Sequence, residues 1–137
     1  MAIIGRFGRL GAIRSARCTV AESVGDFVYI LDEPLNGLDQ VRKADPADYN
    51  KLPAVGVIIS KQSSDFCRVQ WDGETPPIFS GLSPGEIYFL GADSSIAERP
   101  PKPSAPGEEF FVQTVAVATA EDKVYIQTEN NLTKRHH

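Results

Sequence analysis

Between Leu82 and Leu90 the chain reads LSPGEIYFL. Proline presets φ near −65° and glycine tolerates positive φ, so Ser83-Pro84-Gly85-Glu86 specifies a β-turn. The apolar run Ile87 to Leu90 then leaves that turn as a strand. Tyr88 and Phe89 are adjacent, so a strand sends them to opposite faces. The same grammar recurs along the chain, with short apolar runs between Gly- and Pro-marked turns.

VGDFVYIL at 24–31 reads as a strand rich in β-formers. Asn36-Gly37 marks a tight turn after it. Residues 41–44 resume the sheet, and residues 45–53 form a loop or a single helical turn. AVGVIIS at 54–60 is almost continuously apolar and reads as a central strand. In FCRVQW, at 66–71, Phe66, Arg68 and Gln70 take one face. Cys67, Val69 and Trp71 take the other, the expected core side. Asp72-Gly73 is a turn, and Pro76 and Pro77 restrict residues 75–79 to an edge or an irregular extended piece. ERPPKPSAPGEE at 98–109 crosses to two closing strands, at 110–118 and 123–128. The expectation is an all-β fold, a small antiparallel β-sandwich or β-barrel of about seven short strands with an extended N-terminal arm. The domain limits are an arm over 1–17, a β domain over 18–129, and a frayed tail over 130–137.

A chain of 137 residues suits one domain with its own core. No apolar run approaches the ~20 residues of a membrane-spanning helix, so no membrane contact is expected. The N-terminus has no h-region with a cleavage site, so no signal peptide is expected either. The net charge of −4 conceals an asymmetry. The arm carries Arg6, Arg9, Arg14 and Arg17 without an acid, against ten basic and eighteen acidic residues from position 18 onward. Its glycines, Gly5, Gly8 and Gly11, argue against a helix. Its apolar residues Ile3, Ile4, Phe7, Leu10 and Ile13 suit an arm pressed on a partner protein or a neighbouring subunit. A solubilising terminus is the plainer reading. Four arginines are too few for a nucleic-acid surface.

Nothing in the pattern points to catalysis. The two histidines, His136 and His137, sit at the terminus, so neither a zinc set nor a Ser–His–Asp or Cys–His arrangement is expected. GRFGRLG lacks the lysine-hydroxyl ending of a phosphate loop. Asp26, Asp32, Glu33, Asp72, Glu74 and Glu86 fall at turns and strand ends, where acids are normally solvated. No metal or cofactor is expected. Cys18 and Cys67 lie among strand residues and read as small buried hydrophobes, with a disulfide left open. Trp71 reads as core before ligand platform. Apolar residues on both faces of several strands fit either a closed barrel under packed loops or an oligomer interface, and the apolar arm favours the oligomer.

The order of these pieces resembles a known class. VGDFVYIL, VRKADPAD (41–48), AVGVIISK (54–61), CRVQWDGE (67–74), GLSPGEIYFLGADSSI (81–96), RPPKPSAPG (99–107) and FVQTVAVATAEDKVYIQ (111–127) together resemble the small β modules of tailed-bacteriophage virion proteins. The likeness covers residues 24–127. Gly25 to Tyr29 fits its opening, and Gly81, Leu82, Pro84, Gly85, Tyr88 and Leu90 fit its middle. Pro100 and Pro101 fit its proline pair, and Gln113, Val115 and Ala118 its close. Ala116 stands where glycine is usual. The resemblance implies residues that build a fold and perform no catalysis, in trimers or other symmetric homo-oligomers. It implies a location in the virion and a non-enzymatic structural role. One such role is a capsid decoration or cement protein bridging major capsid proteins. The alternatives are a tail, fibre or baseplate component, or a carbohydrate-binding module outside the virion.

Overall fold

A computed structural model describes residues 12–128 and 132–136. The chain is all-β, with twelve strands in three sheets among the described residues. The first sheet holds β1 (Ile13–Arg17), β2 (Phe27–Ile30), β3 (Val41–Lys43), β4 (Gly56–Lys61) and β5 (Phe66–Gln70), in the order β1-β5-β4-β2-β3. The second holds β6 (Gly73–Glu74), β7 (Ile87–Leu90), β8 (Ile96–Ala97), β10 (Thr114–Ala118) and β11 (Val124–Ile126), in the order β6-β11-β10-β7-β8. A third, two-stranded sheet pairs β9 (Glu109–Val112) with β12 (Thr133–His136). Every ladder is antiparallel, and none closes into a barrel.

Two segments differ from their sequence reading. Residues 13–17, expected in the arm, form β1, in register with β5 from Ile13↔Gln70 to Arg17↔Phe66. Thr133–His136, expected to fray, pairs with β9. In both cases a partner strand distant in sequence supplies the ladder that local composition does not advertise. Strand count exceeds expectation because β1 and β12 form in the expected arm and tail, β6 and β8 are two-residue strands at turns, and the run read as one strand at 110–118 divides into β9 and β10 in different sheets.

The turn-and-strand signature forms as read. Glu86 N–H donates to the Ser83 carbonyl at 3.1 Å, and Gly85 has φ +89°. No atom would crowd a Cβ at Gly85, so only its backbone geometry demands glycine. The Tyr88 hydroxyl accepts from Ser83 N–H at 2.9 Å, which ties strand to turn. Gly81 is also in the left-handed region, at φ +71°. Leu82, Tyr88 and Leu90 are buried in the main core. Asn36 and Gly37, at φ 51° and 80°, make the tight turn between Leu35 and Leu38.

That core lies between the two five-stranded sheets. Phe27 and Val57 come from the first sheet, and Tyr88, Leu90, Val115, Ala116, Val124 and Ile126 from the second. A bulge in β10 between Thr114 and Ala116 leaves the neighbours Val115 and Ala116 both buried. Gln113, fully buried, bridges the sheets. Its Oε1 accepts from Ala54 N–H at 2.9 Å, and its Nε2 donates to the Ala54 carbonyl at 2.8 Å. One side chain thus satisfies both backbone groups of a buried residue ahead of β4, as a strand would.

Gln70, assigned by alternation to the face away from the core, is buried as well. Its Nε2 donates to the carbonyls of Asp72 at 2.8 Å and Glu74 at 2.9 Å, holding the connection to the second sheet.

Replacing Gln113 with leucine would strand two buried backbone groups of Ala54. Each orphan costs about 1–3 kcal/mol, so Gln113→Leu is expected to lower unfolding stability by about 2–6 kcal/mol in urea titration. A loss under about 0.5 kcal/mol, the range of a surface substitution, would contradict the bridge.

Candidate functional site

The first sheet has edges β1 and β3, and these edges meet. Arg17 forms an isolated parallel bridge with Gln40, with Arg17 N–H donating to the Asp39 carbonyl at 2.8 Å. The sheet must therefore curl strongly. Its twist is increased where a bulge in β4, between Ile58 and Ser60, breaks the register with β5. One bridge is not a ladder, so the curl stays open at one end.

A second apolar cluster fills its inside: Ala16, Cys18, Val28, Val41, Ile58, Cys67 and Val69. Both faces of this sheet are thus covered within one chain. The two-faced apolar pattern of β2 and β4 follows from a curled sheet with a core on each side.

Where β1 finishes, the curl carries a polar cluster. The Glu22 carboxylate accepts from Thr19 N–H and the Thr19 hydroxyl, both at 2.7 Å. Lys61 Nζ donates to the carbonyls of Thr19 at 3.0 Å and Glu22 at 2.7 Å. Where β1 begins, an apolar pocket of about 310 Å³ opens instead. Ala16, Ile30, Val41, Val55, Val69 and Thr128 line it. Arg14 and Asp39 stand on its rim, joined by an ion pair of 2.7 Å. Trp71 lies at the mouth, with the Arg14 guanidinium 4.7 Å from its ring centroid.

Trp71 shares the side of Cys67 and Val69, as alternation predicts, but it is 36% exposed and not core. It stands one residue beyond β5, where the curl ends. Arg14 occupies part of its ring, which restricts it as a sugar platform.

The arm residues divide. Ile3, Ile4, Arg6, Phe7, Arg9 and Leu10 lie outside the described residues. Ile13 is exposed on β1. Arg14 and Arg17 are engaged within the fold. Arg17 lies 4.4 Å over the Phe66 ring and donates from Nε to the Leu35 carbonyl at 3.2 Å. Of the turn residues, Leu82, Tyr88 and Leu90 are buried in the main core, Gly81, Pro84 and Gly85 are exposed, and none of the six lines the pocket.

The acids at turns serve the backbone or face water. Asp26 accepts from Ser23 N–H at 2.8 Å and lies 3.9 Å from Lys43. Burial pushes its carboxyl above the usual value, against the pull of the Ser23 bond and Lys43. Asp32, Glu33, Asp72, Glu74 and Glu86 are exposed. Among the described residues, no three His, Cys, Asp or Glu side chains stand together as a metal site, and no helix is long and apolar enough to cross a membrane.

Sequence reasoning missed the pocket. Its signal was alternation from Ala12 to Cys18, where Arg14, Ala16 and Cys18 share a face. The glycines and arginines around that stretch obscure it.

Comparison with family models, curated proteins and solved structures finds no match. The likeness to virion modules therefore rests on the motifs alone.

Cys18 and Cys67 are both free thiols buried inside the curl. Burial pushes the Cys67 thiol from 9.0 up to about 12, and the neighbouring Cys18 adds to the rise. Between these values the unfolded chain releases a proton that the folded chain keeps. The stabilisation is complete below pH 9.0 and is lost as pH rises toward about 12. The urea midpoint should thus fall more steeply from pH ~8 to ~10.5 in the native chain than in Cys67→Ala. Parallel pH curves would contradict this.

Proposed function

We propose that this chain is a non-enzymatic structural protein of a tailed-bacteriophage virion, and specifically a head decoration or cement protein that bridges major capsid proteins. The observation that carries the reading is where the matched motif residues sit. Phe27 and Val28 lie on β2, back to back in the two cores. Pro84 and Gly85 make the turn, and Tyr88 and Leu90 fill the core from β7. Gln113 bridges the sheets. These positions, which carry much of the likeness, thus have architectural tasks, as a structural module requires. We read the two core-sharing sheets as a sandwich in which the first sheet is strongly curled.

In this role the chain acts by contact. Exposed Ile13, Leu35 and Ile87 offer apolar points on a surface with an acidic excess. The segment before Ala12, with Ile3, Ile4, Arg6, Phe7, Arg9 and Leu10, supplies the reach between neighbouring capsomers. The resemblance favours trimers. The assembled location is the capsid surface.

The test is location and copy number in purified particles, using epitope-tagged full chain and a form lacking residues 1–11. The deletion stops there because residues 12–17 belong to the β1 region of the sheet. Many copies spread over the head, with occupancy falling at least about tenfold on deletion, are expected; this corresponds to a contact worth about 1.4 kcal/mol or more. Label confined to the tail would replace the cement reading with a tail, fibre or baseplate one. Absence from particles would overturn the virion reading.

A further inference from the structure

The cluster inside the curl holds two nucleophilic side chains, the thiols of Cys18 and Cys67. The ladder of β1 with β5 pairs Ala16 with Cys67. Cys18, two residues on, is therefore the diagonal neighbour of Cys67 on the same face. Cys18 N–H donates to the Asp65 carbonyl at 3.1 Å, which carries the pairing one residue past the end of β1. The Cys67 S–H donates to the Cys18 sulfur, and the Cys18 S–H donates to the Ser64 carbonyl at 3.8 Å. The two sulfurs thus meet in an apolar interior, although the residues that carry them are remote in sequence. We propose that Cys18 and Cys67 are the site of a reversible disulfide that staples the edge strand β1 to β5.

Bond formation needs a small backbone shift. Diagonal neighbours have Cα atoms about 7–8 Å apart, against about 4.4–6.8 Å across a disulfide, so one strand must move by about 1 Å. Cys18 stands where the chain can give that movement. The ladder ends there and the chain turns at 19–22, with Glu22 N–H donating to the Thr19 carbonyl at 3.3 Å. β1 is also an edge of its sheet, with β5 on one side only. Cys67 is fully buried and Cys18 is 5% exposed, so Cys18 reacts first. The reaction is thiol–disulfide exchange, with a small-molecule disulfide as oxidant. The Cys18 thiolate attacks one sulfur of the oxidant, a mixed disulfide forms, and one small thiolate leaves. The Cys67 thiolate then attacks Cys18 Sγ, the mixed bond breaks, and the second small thiolate leaves. Two protein thiols are oxidised, one small disulfide is reduced, and the two protein protons pass to the departing thiolates. Disulfides persist in oxidising surroundings and are reduced where thiol pools dominate, so the staple sets in the first and opens in the second. The inference does not depend on a virion role.

The purified 137-residue chain is incubated with oxidised glutathione without denaturant, quenched with an alkylating maleimide, and followed by intact mass and peptide mapping. The expected product is a monomer lighter by two hydrogens, free of maleimide, with the Cys18 peptide joined to the Cys67 peptide. Dithiothreitol should return the original mass. Cys67→Ala should stop at one glutathione on Cys18. The linked chain should unfold at a urea midpoint about 1 M or more above the reduced chain, because closing a loop of about fifty residues constrains the unfolded state. The native-chain measurements stand by themselves if the alanine variant does not fold. A native chain that keeps both thiols free, that stops at a glutathione adduct, or that links into dimers overturns the proposal. So does a Cys18–Cys67 link that forms only in urea, since the fold would then hold the sulfurs apart. An unchanged or lower midpoint in the linked chain overturns the stapling.

Discussion

The buried amide of Gln113 joins the two large sheets, and the arrangement of the rest follows from that junction. Its two hydrogen bonds to Ala54, together with Phe27 N–H to the Ser94 carbonyl at 2.8 Å and Gln70 Nε2 to the Glu74 carbonyl at 2.9 Å, take the place of a ladder between sheets that share none. The Ala54 bonds fix the start of β4 against β10. The hydrophobic contacts of Phe27, Val57, Tyr88 and Leu90 fill the space between the sheets, but such contacts are non-directional and would tolerate sliding. A paired donor and acceptor in a dry interior do not, because misalignment leaves both groups unsatisfied.

With one face of the first sheet fixed against the second, its other face needs separate cover. The sheet provides it by curling around the cluster of Ile58, Cys67, Val69 and Val28 until β1 meets the residues before β3. Glu22 and Lys61 form a hydrogen-bonded cluster where β1 finishes. The end where β1 begins is left open, with Trp71 and the Arg14–Asp39 pair at its margin. The candidate site is thus a consequence of a curl that stops short of closure.

Local chemistry was legible in the sequence and non-local pairing was not. The Pro84-Gly85 and Asn36-Gly37 turns are set within four residues, and both form where their residues place them. β7 and the central β4 also form where apolar residues concentrate. The first strand depends on β5, about fifty residues away in sequence, and IRSAR by itself suggests no strand. Gln70 breaks the inside-outside alternation because its amide is held by two carbonyls of the following turn, a tertiary circumstance no period reveals. Trp71 keeps its side but loses its burial because the curl ends one residue before it. The pocket, built from residues on β1, β2, β3 and β5 and the connections around them, shows in the sequence only as the alternation over residues 12–18.

The central claim is that the two sheets behave as one unit because a buried side chain bridges them. Amide hydrogen exchange followed by NMR tests it most directly. The Ala54 backbone amide and the Gln113 side-chain amide should be among the slowest protons to exchange. They should exchange together with Leu90 N–H, which donates to the Gln113 carbonyl at 3.0 Å. If Ala54 instead exchanged as fast as a surface loop while Leu90 stayed protected, the sheets would open independently and the account would be wrong.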